Sequence, residues 1–203
     1  MVYQLMNIEK SPVLNSARLA KRIAINAKSL SIFQPNFTTV NFQKLKLWNG
    51  KIKVFAGTPV AYVSTCLDNT DAITHAFREL TDWAVPRMLI NAETRFIGML
   101  LDIPFITPLN KCRYRAGITL NSKSGLLKDA SSTEIPKGIY ASYRAKGNIM
   151  AIVKSLIFFK HCWLDTSGYQ LKDICGFEIF DVNPADKPSE QIAREILIPV
   201  KPS

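Results

Sequence analysis

Apolar and polar residues alternate over short runs in some parts of this chain and recur every three to four residues in others. Alternating or densely apolar runs bounded by turn residues predict strands at Pro59 to Thr65, Arg95 to Leu101 and Cys112 to Leu120. Between the first two, Ile73, Ala76, Phe77, Leu80 and Ala84 make one helical stripe over Asp71 to Ala84, with Thr70 as the N-cap and a stop near Pro86. The same order returns later. Gly138 to Ala145 reads as a strand, and Asn148 to Asp165 as a helix with Ile149, Ile152, Val153, Leu156 and Trp163 along its stripe, ended by Ser167-Gly168. Phe177 to Val182 and Glu195 to Val200 are the last two strands. A further hairpin is expected ahead of the first unit, where Leu45 to Trp48 and Lys51 to Val54 flank the turn pair Asn49-Gly50.

The two units match at an offset of about 80 residues. Val60-Ala61-Tyr62 falls on Tyr140-Ala141-Ser142, Trp83 on Trp163 and Pro108 on Pro188. With one residue of slippage, Phe96-Ile97-Gly98-Met99 falls on Phe177-Glu178-Ile179-Phe180. Ordered matches at near-constant spacing predict an α+β fold of two strand–helix–strand–strand repeats, about 52–120 and 133–201, related by a pseudo-twofold axis. One such unit cannot cover its own sheet, so two antiparallel sheets with flanking helices are expected to enclose a central cleft, a common place for a ligand.

Composition narrows the class without changing this picture. At 47% hydrophobic and 21% charged, the chain is an ordinary globular protein, and its apolar runs break well before the ~20 residues a bilayer requires. The cytoplasm is the expected compartment, since Met1 to Lys10 lacks a signal-peptide layout. Cys66, Cys112, Cys162 and Cys175 stand apart, and His75 and His161 are each alone, so no metal set and no cofactor motif is expected. Of the net charge of +10, residues 1–50 hold +6, from seven Lys or Arg against Glu9. Residues 1–44 thus read as a basic arm or remnant region, open to DNA or a protein partner or merely solvated, ahead of a domain at 45–203. No membrane partner is expected.

Several phrases resemble one family. Ile135-Pro136-Lys137-Gly138-Ile139-Tyr140-Ala141, Trp163-Leu164-Asp165-Thr166-Ser167-Gly168-Tyr169 and Gly176-Phe177-Glu178-Ile179-Phe180 are similar to motifs of GyrI-like domains, the effector-binding domains of AraC-type transcription regulators. So are Phe96-Ile97-Gly98, Arg113-Tyr114-Arg115-Ala116-Gly117-Ile118 and the closing Ile196-Leu197-Ile198-Pro199-Val200, which together span about 52–201. The turns before the two helices depart from the family's Gly-Pro-Tyr-like form, and residues 1–45 are not expected to form the two helix-turn-helix units of AraC-type regulators, since no second helix follows Ser16 to Leu30 at turn spacing.

The resemblance implies a module that binds hydrophobic, cationic small molecules in transcription regulation or drug response. It places Glu178, an acid in an otherwise apolar strand, in the pocket facing the cation; an edge-strand Glu facing water is the alternative. An isolated buried carboxylate costs several kcal/mol (order of magnitude) unless compensated, which gives the position its interest. Tyr62, Tyr114, Tyr140 and Tyr143 are expected to supply aromatic faces to the same cleft. Two other functions fit the same residues. One is a hydrolase of reactive electrophiles, with Glu178 orienting water beside Tyr114 or Tyr143; the other is an interaction protein like the gyrase inhibitor that names the family. No nucleophile–base pair or phosphate loop appears, and a catalytic set is not assigned.

Overall fold

A computed structural model describes residues 50–68, 71–102, 107–121, 131–172 and 176–203, with the side chains of 157, 158, 161, 162 and 165 left aside. In chain order the elements are β1 (Lys51–Phe55), β2 (Thr58–Cys66), α1 (Ala72–Ala84), β3 (Phe96–Leu100), β4 (Arg113–Thr119) and β5 (Ser131–Ile135). There follow β6 (Gly138–Ala145), α2 (Ile149–Cys162), β7 (Tyr169–Leu171), β8 (Phe177–Phe180) and β9 (Arg194–Pro202). Among the described residues the strands form one nine-stranded sheet, ordered β1-β6-β9-β8-β3-β4-β2-β5, with β7 also on β9. The pairings are antiparallel throughout.

The α1 stripe does what its spacing predicts: Ile73, Ala76, Phe77, Leu80 and Ala84 are all buried, against Ala61, Ala116 and Ile118 of the sheet. The helix starts after Asp71, which offers no side-chain cap, and the expected cap Thr70 lies outside the described residues. Pro86 falls in a short 3-10 turn, Val85–Arg87, just past the α-helical end. At α2, Asn148 Oδ1 accepts the Ala151 N–H at 2.9 Å and closes the first turn. The buried Ile152 and Phe159 pack on Ala141, Tyr143, Ile196 and Ile198. Gly168 ends the segment with φ of +78°, a conformation that other residues adopt only under strain. Trp83 and Trp163, which the repeat places at equivalent positions, pack on the α1 and α2 clusters respectively.

Short connections force the sheet to curl. In a flat sheet β1 and β2 would lie six strand spacings apart, about 29 Å, and so would β5 and β6. Yet only Ala56 and Gly57 join β1 to β2, and only Pro136 and Lys137 join β5 to β6. Three Cα steps reach about 11 Å at most. The flanks must therefore approach each other at these links, which makes the sheet a curled half-barrel with two helices, an α+β arrangement. On the face away from the helices, Val60, Ile97, Met99, Tyr140, Phe177 and Leu197 form their own buried cluster.

One expectation needs correction. The two sheets expected from the sequence are one, because β3 and β8 pair with Phe96 opposite Phe180 and Gly98 opposite Glu178. The strand expected at Lys51 to Val54 is present as β1, which pairs with β6, Ile52 opposite Ala141. The other half of the expected hairpin, 45–48, lies outside the described residues. Two strands went unforeseen, β5 and the three-residue β7.

Candidate functional site

Glu178 sits at the middle of the sheet, in β8, and is 6% exposed. Cross-strand partners share a face and successive residues alternate, so register assigns the faces. Gly98 and Ile196 flank Glu178 on β3 and β9, and Tyr114 and Tyr143 lie on the same, helix-bearing face. Tyr114 belongs to the cluster under α1, and Ile196 to the cluster under α2. Glu178 thus marks the seam between the two helix-covered halves.

The carboxylate is not isolated. The Tyr114 hydroxyl donates to Glu178 Oε1 at 2.5 Å, and Arg194 Nη1 donates to Glu178 Oε2 at 3.0 Å. Arg194 stands opposite Phe180 on β9, diagonal to Glu178, a separation that a long side chain bridges. Its guanidinium lies 4.6 Å from the centre of the Phe180 ring. Nη2 donates to the carbonyls of Gly147, at 2.9 Å, and Ser189. Arg194 is 1% exposed and Tyr114 fully buried, so the triad is dry. The compensation that a buried acid requires comes from Arg194, a residue absent from the site expected from the sequence. The alternative of a Glu facing water does not hold.

Gly98 makes the geometry possible. A Cβ there would lie 1.9 Å from Tyr114 Oη and 2.6 Å from both Cγ and Oε1 of Glu178. Glycine inside a strand often marks such a close approach.

The four tyrosines do not gather around the acid. Tyr114 touches it. Tyr143 shares its face, stacked on Phe159 at 4.5 Å between centroids, with its hydroxyl 3.1 Å from Ser155 Oγ. Tyr62 and Tyr140 lie on the opposite face. Tyr62 stands under the guanidinium of Arg115, at 4.3 Å, and Tyr140 donates to the Pro136 carbonyl at 2.9 Å while packing edge-on against Phe177. A hollow of about 330 Å³ opens beside α1, lined by Tyr62, Val63, Ser64, Glu79, Leu80, Trp83 and Ser131. Glu178 takes no part in it.

Burial, reinforced by the neighbouring Glu178, holds the Tyr114 phenol well above its ordinary pKa and keeps it a donor. Burial likewise raises Tyr143, against a smaller opposing pull from Ser155. A phenol whose folded pKa is raised supports the fold fully below its unfolded value of about 10. That support is lost as pH climbs above 10, by about 1.4 kcal/mol per pH unit per group. Tyr143→Phe should therefore flatten the alkaline fall of the urea midpoint between about pH 10 and 11.5, measured beside wild type. Equal slopes would mean that the phenol is not buried as described.

Among the described residues no group of His, Cys, Asp and Glu is arranged to hold a metal, and no helix is long and apolar enough to cross a membrane. Cys112 is buried and Cys66 exposed, both as free thiols.

Among the described residues, a curled antiparallel sheet carries two helices over a buried, internally paired acid. A model of the GyrI-like small molecule binding domain matches residues 50–201, and the chain belongs to that family. No curated protein matches the sequence. Among solved structures, the fold is similar to the EcmrR C-terminal domain, with a TM-score of 0.56 and 13% identity over 77% of this chain and 99% of that one. It is also similar to EcmrR in a DNA complex, at 0.59 and 14%, over 93% of this chain and 70% of that one. A hydrolase from Listeria innocua gives 0.51 and 9%, over 75% and 91%. Identities this low speak for the fold alone.

Proposed function

We propose that residues 45–203 bind a small lipophilic molecule on the helix-bearing face, at the seam marked by Glu178, and act as the sensing module of a regulatory or drug-response system. The observation that carries this reading is the buried Tyr114–Glu178–Arg194 triad between the two helix-covered clusters. A dry polar set adds little net stability, which directs attention to orientation or specificity, and ligand sites combine apolar walls with a few fixed polar groups. An ancestral duplication fits the strand order, since β3-β4-β2 and β6-β9-β8 are each contiguous and meet at β3–β8. In the same proposal the basic residues 1–44 stay open to DNA, to a protein partner or to solvent alone, and the compartment is the cytoplasm.

A cation, the ligand class expected from the sequence, would meet a carboxylate already paired with Arg194. The hydrolase reading meets a similar difficulty. Each oxygen of Glu178 already holds a donor, Tyr114 on one and Arg194 on the other, which leaves the acid poorly placed to orient water.

The test is a thermal-shift screen of lipophiles on wild type, Glu178→Gln and Ser64→Trp, the last filling the hollow beside α1. A ligand at 100 times its Kd adds about 2.7 kcal/mol, roughly 5–10 °C in a domain of this size. The seam predicts a shift in wild type and Ser64→Trp that Glu178→Gln diminishes. Loss in Ser64→Trp alone would move the site to the hollow, and no shift with any compound would defeat the proposal.

A further inference from the structure

Arg194 has the surroundings that a bound cation would have. A carboxylate oxygen lies 3.0 Å from it, an aromatic face 4.6 Å from it, and two backbone carbonyls accept from it, all out of water. Carboxylate, ring face and carbonyls are the groups that recognise a cation in a desolvated site. We infer that Arg194 is the resident cation of this site, a specificity determinant that fills the place of a ligand's positive charge and turns the seam toward uncharged lipophiles. The inference deepens the proposed function and rests on it for the ligand, though not for the role of Arg194 itself.

Three observations support it. The arginine comes from β9 and reaches diagonally across to β8, so it belongs to the scaffold and does not leave as a ligand would. One charge of each sign balances the pair, so a second cation brought beside it would meet a carboxylate whose attraction the guanidinium already offsets. Finally, Arg194 Nε is buried without a hydrogen-bond partner, while both Glu178 oxygens have one. The set is short of an acceptor and not of a positive charge. An uncharged lipophile bearing an acceptor oxygen matches that imbalance, and a quaternary cation does not.

The experiment compares wild type, Arg194→Met and the double variant Arg194→Met/Glu178→Gln. Tetraphenylphosphonium and triphenylphosphine oxide, similar in shape and different in charge, are titrated into each. Wild type should bind the oxide at least tenfold more tightly, and Arg194→Met should reverse the order. The double variant should lose the preference for the cation. Tetraphenylphosphonium binding wild type and Arg194→Met equally would overturn the inference.

Because Arg194→Met leaves a buried acid unpaired, its folding is itself a readout. Methylguanidinium at millimolar concentration should raise the melting temperature of Arg194→Met, or restore its near-ultraviolet dichroism if it does not fold alone. N-methylurea should not, and neither should act on the double variant. Equal responses of the two variants, or no response in Arg194→Met, would overturn the assignment of Arg194. If neither phosphorus compound binds any variant, the proposed function fails, and the methylguanidinium arm still decides the role of Arg194.

Discussion

Arg194→Met is expected to lose about 3–5 kcal/mol of stability at neutral pH, because it strands a carboxylate in a site from which water is excluded. Against a total of roughly 5–15 kcal/mol for a domain, that brings the variant close to unfolding at room temperature. Removing both charges should behave differently. Arg194→Met/Glu178→Gln leaves no uncompensated charge, and the amide that replaces the carboxylate would still accept from Tyr114, so most of the loss should be recovered. The measurement is urea unfolding of the wild type and the single and double variants. The sign of the coupling between the two positions carries the information. A loss under about 1 kcal/mol in the single variant would mean that Glu178 finds water or another donor, and the dry triad would have to be abandoned.

Gly98→Ala comes next in size. Its new methyl group would lie 1.9 Å from Tyr114 Oη and 2.6 Å from Glu178, and neither side chain has room to retreat, since both are buried. Overpacking of this kind costs about 1–3 kcal/mol, and here the displaced hydrogen bond adds to it. In a Tyr114→Phe background the atom at 1.9 Å is gone, so the alanine should cost less than in wild type even though the contact with Glu178 remains. Strict additivity of the two substitutions would contradict the packing described for this part of the sheet.

Most of the scaffold was legible because its signals are local. The stripe of Ile73, Ala76, Phe77, Leu80 and Ala84 reports a helix wherever it packs, and the strands recurring at an offset of 80 reinforced one another. What escaped depends on distant partners. The segment Ser131 to Ile135 carries little apolar pattern, and β5 exists because β2 offers it an open edge, with Tyr62 opposite Ser131 and Thr58 opposite Ile135. The division of the tyrosines between two faces follows from register, which no stretch of sequence displays by itself. Glu178 could be singled out because an acid among Phe177, Ile179 and Phe180 is locally conspicuous. Arg194 could not, since it stands next to Glu195 at the mouth of an exposed-looking loop and its partner is 16 residues away. The cost of burying Glu178 calls for a compensating cation, but it is the register of β8 on β9, with Phe180 opposite Arg194, that identifies which one.

The two short links that curl the sheet also make its halves exchange strands. β1 lies upstream of the first strand–helix–strand–strand unit yet pairs with β6 of the second, and β5 lies just upstream of the second yet pairs with β2 of the first. Neither half, taken as a continuous stretch of chain, contains all the strands of its own part of the sheet. Folding must therefore join residues roughly 70 to 90 positions apart before both flanks are finished, a topology that favours slow assembly. Cleavage between residues 121 and 131 would accordingly yield two fragments, each holding a strand that completes the other. Such fragments should copurify and refold as an obligate heterodimer, and in the uncut chain the same arrangement gives two molecules a ready way to trade halves.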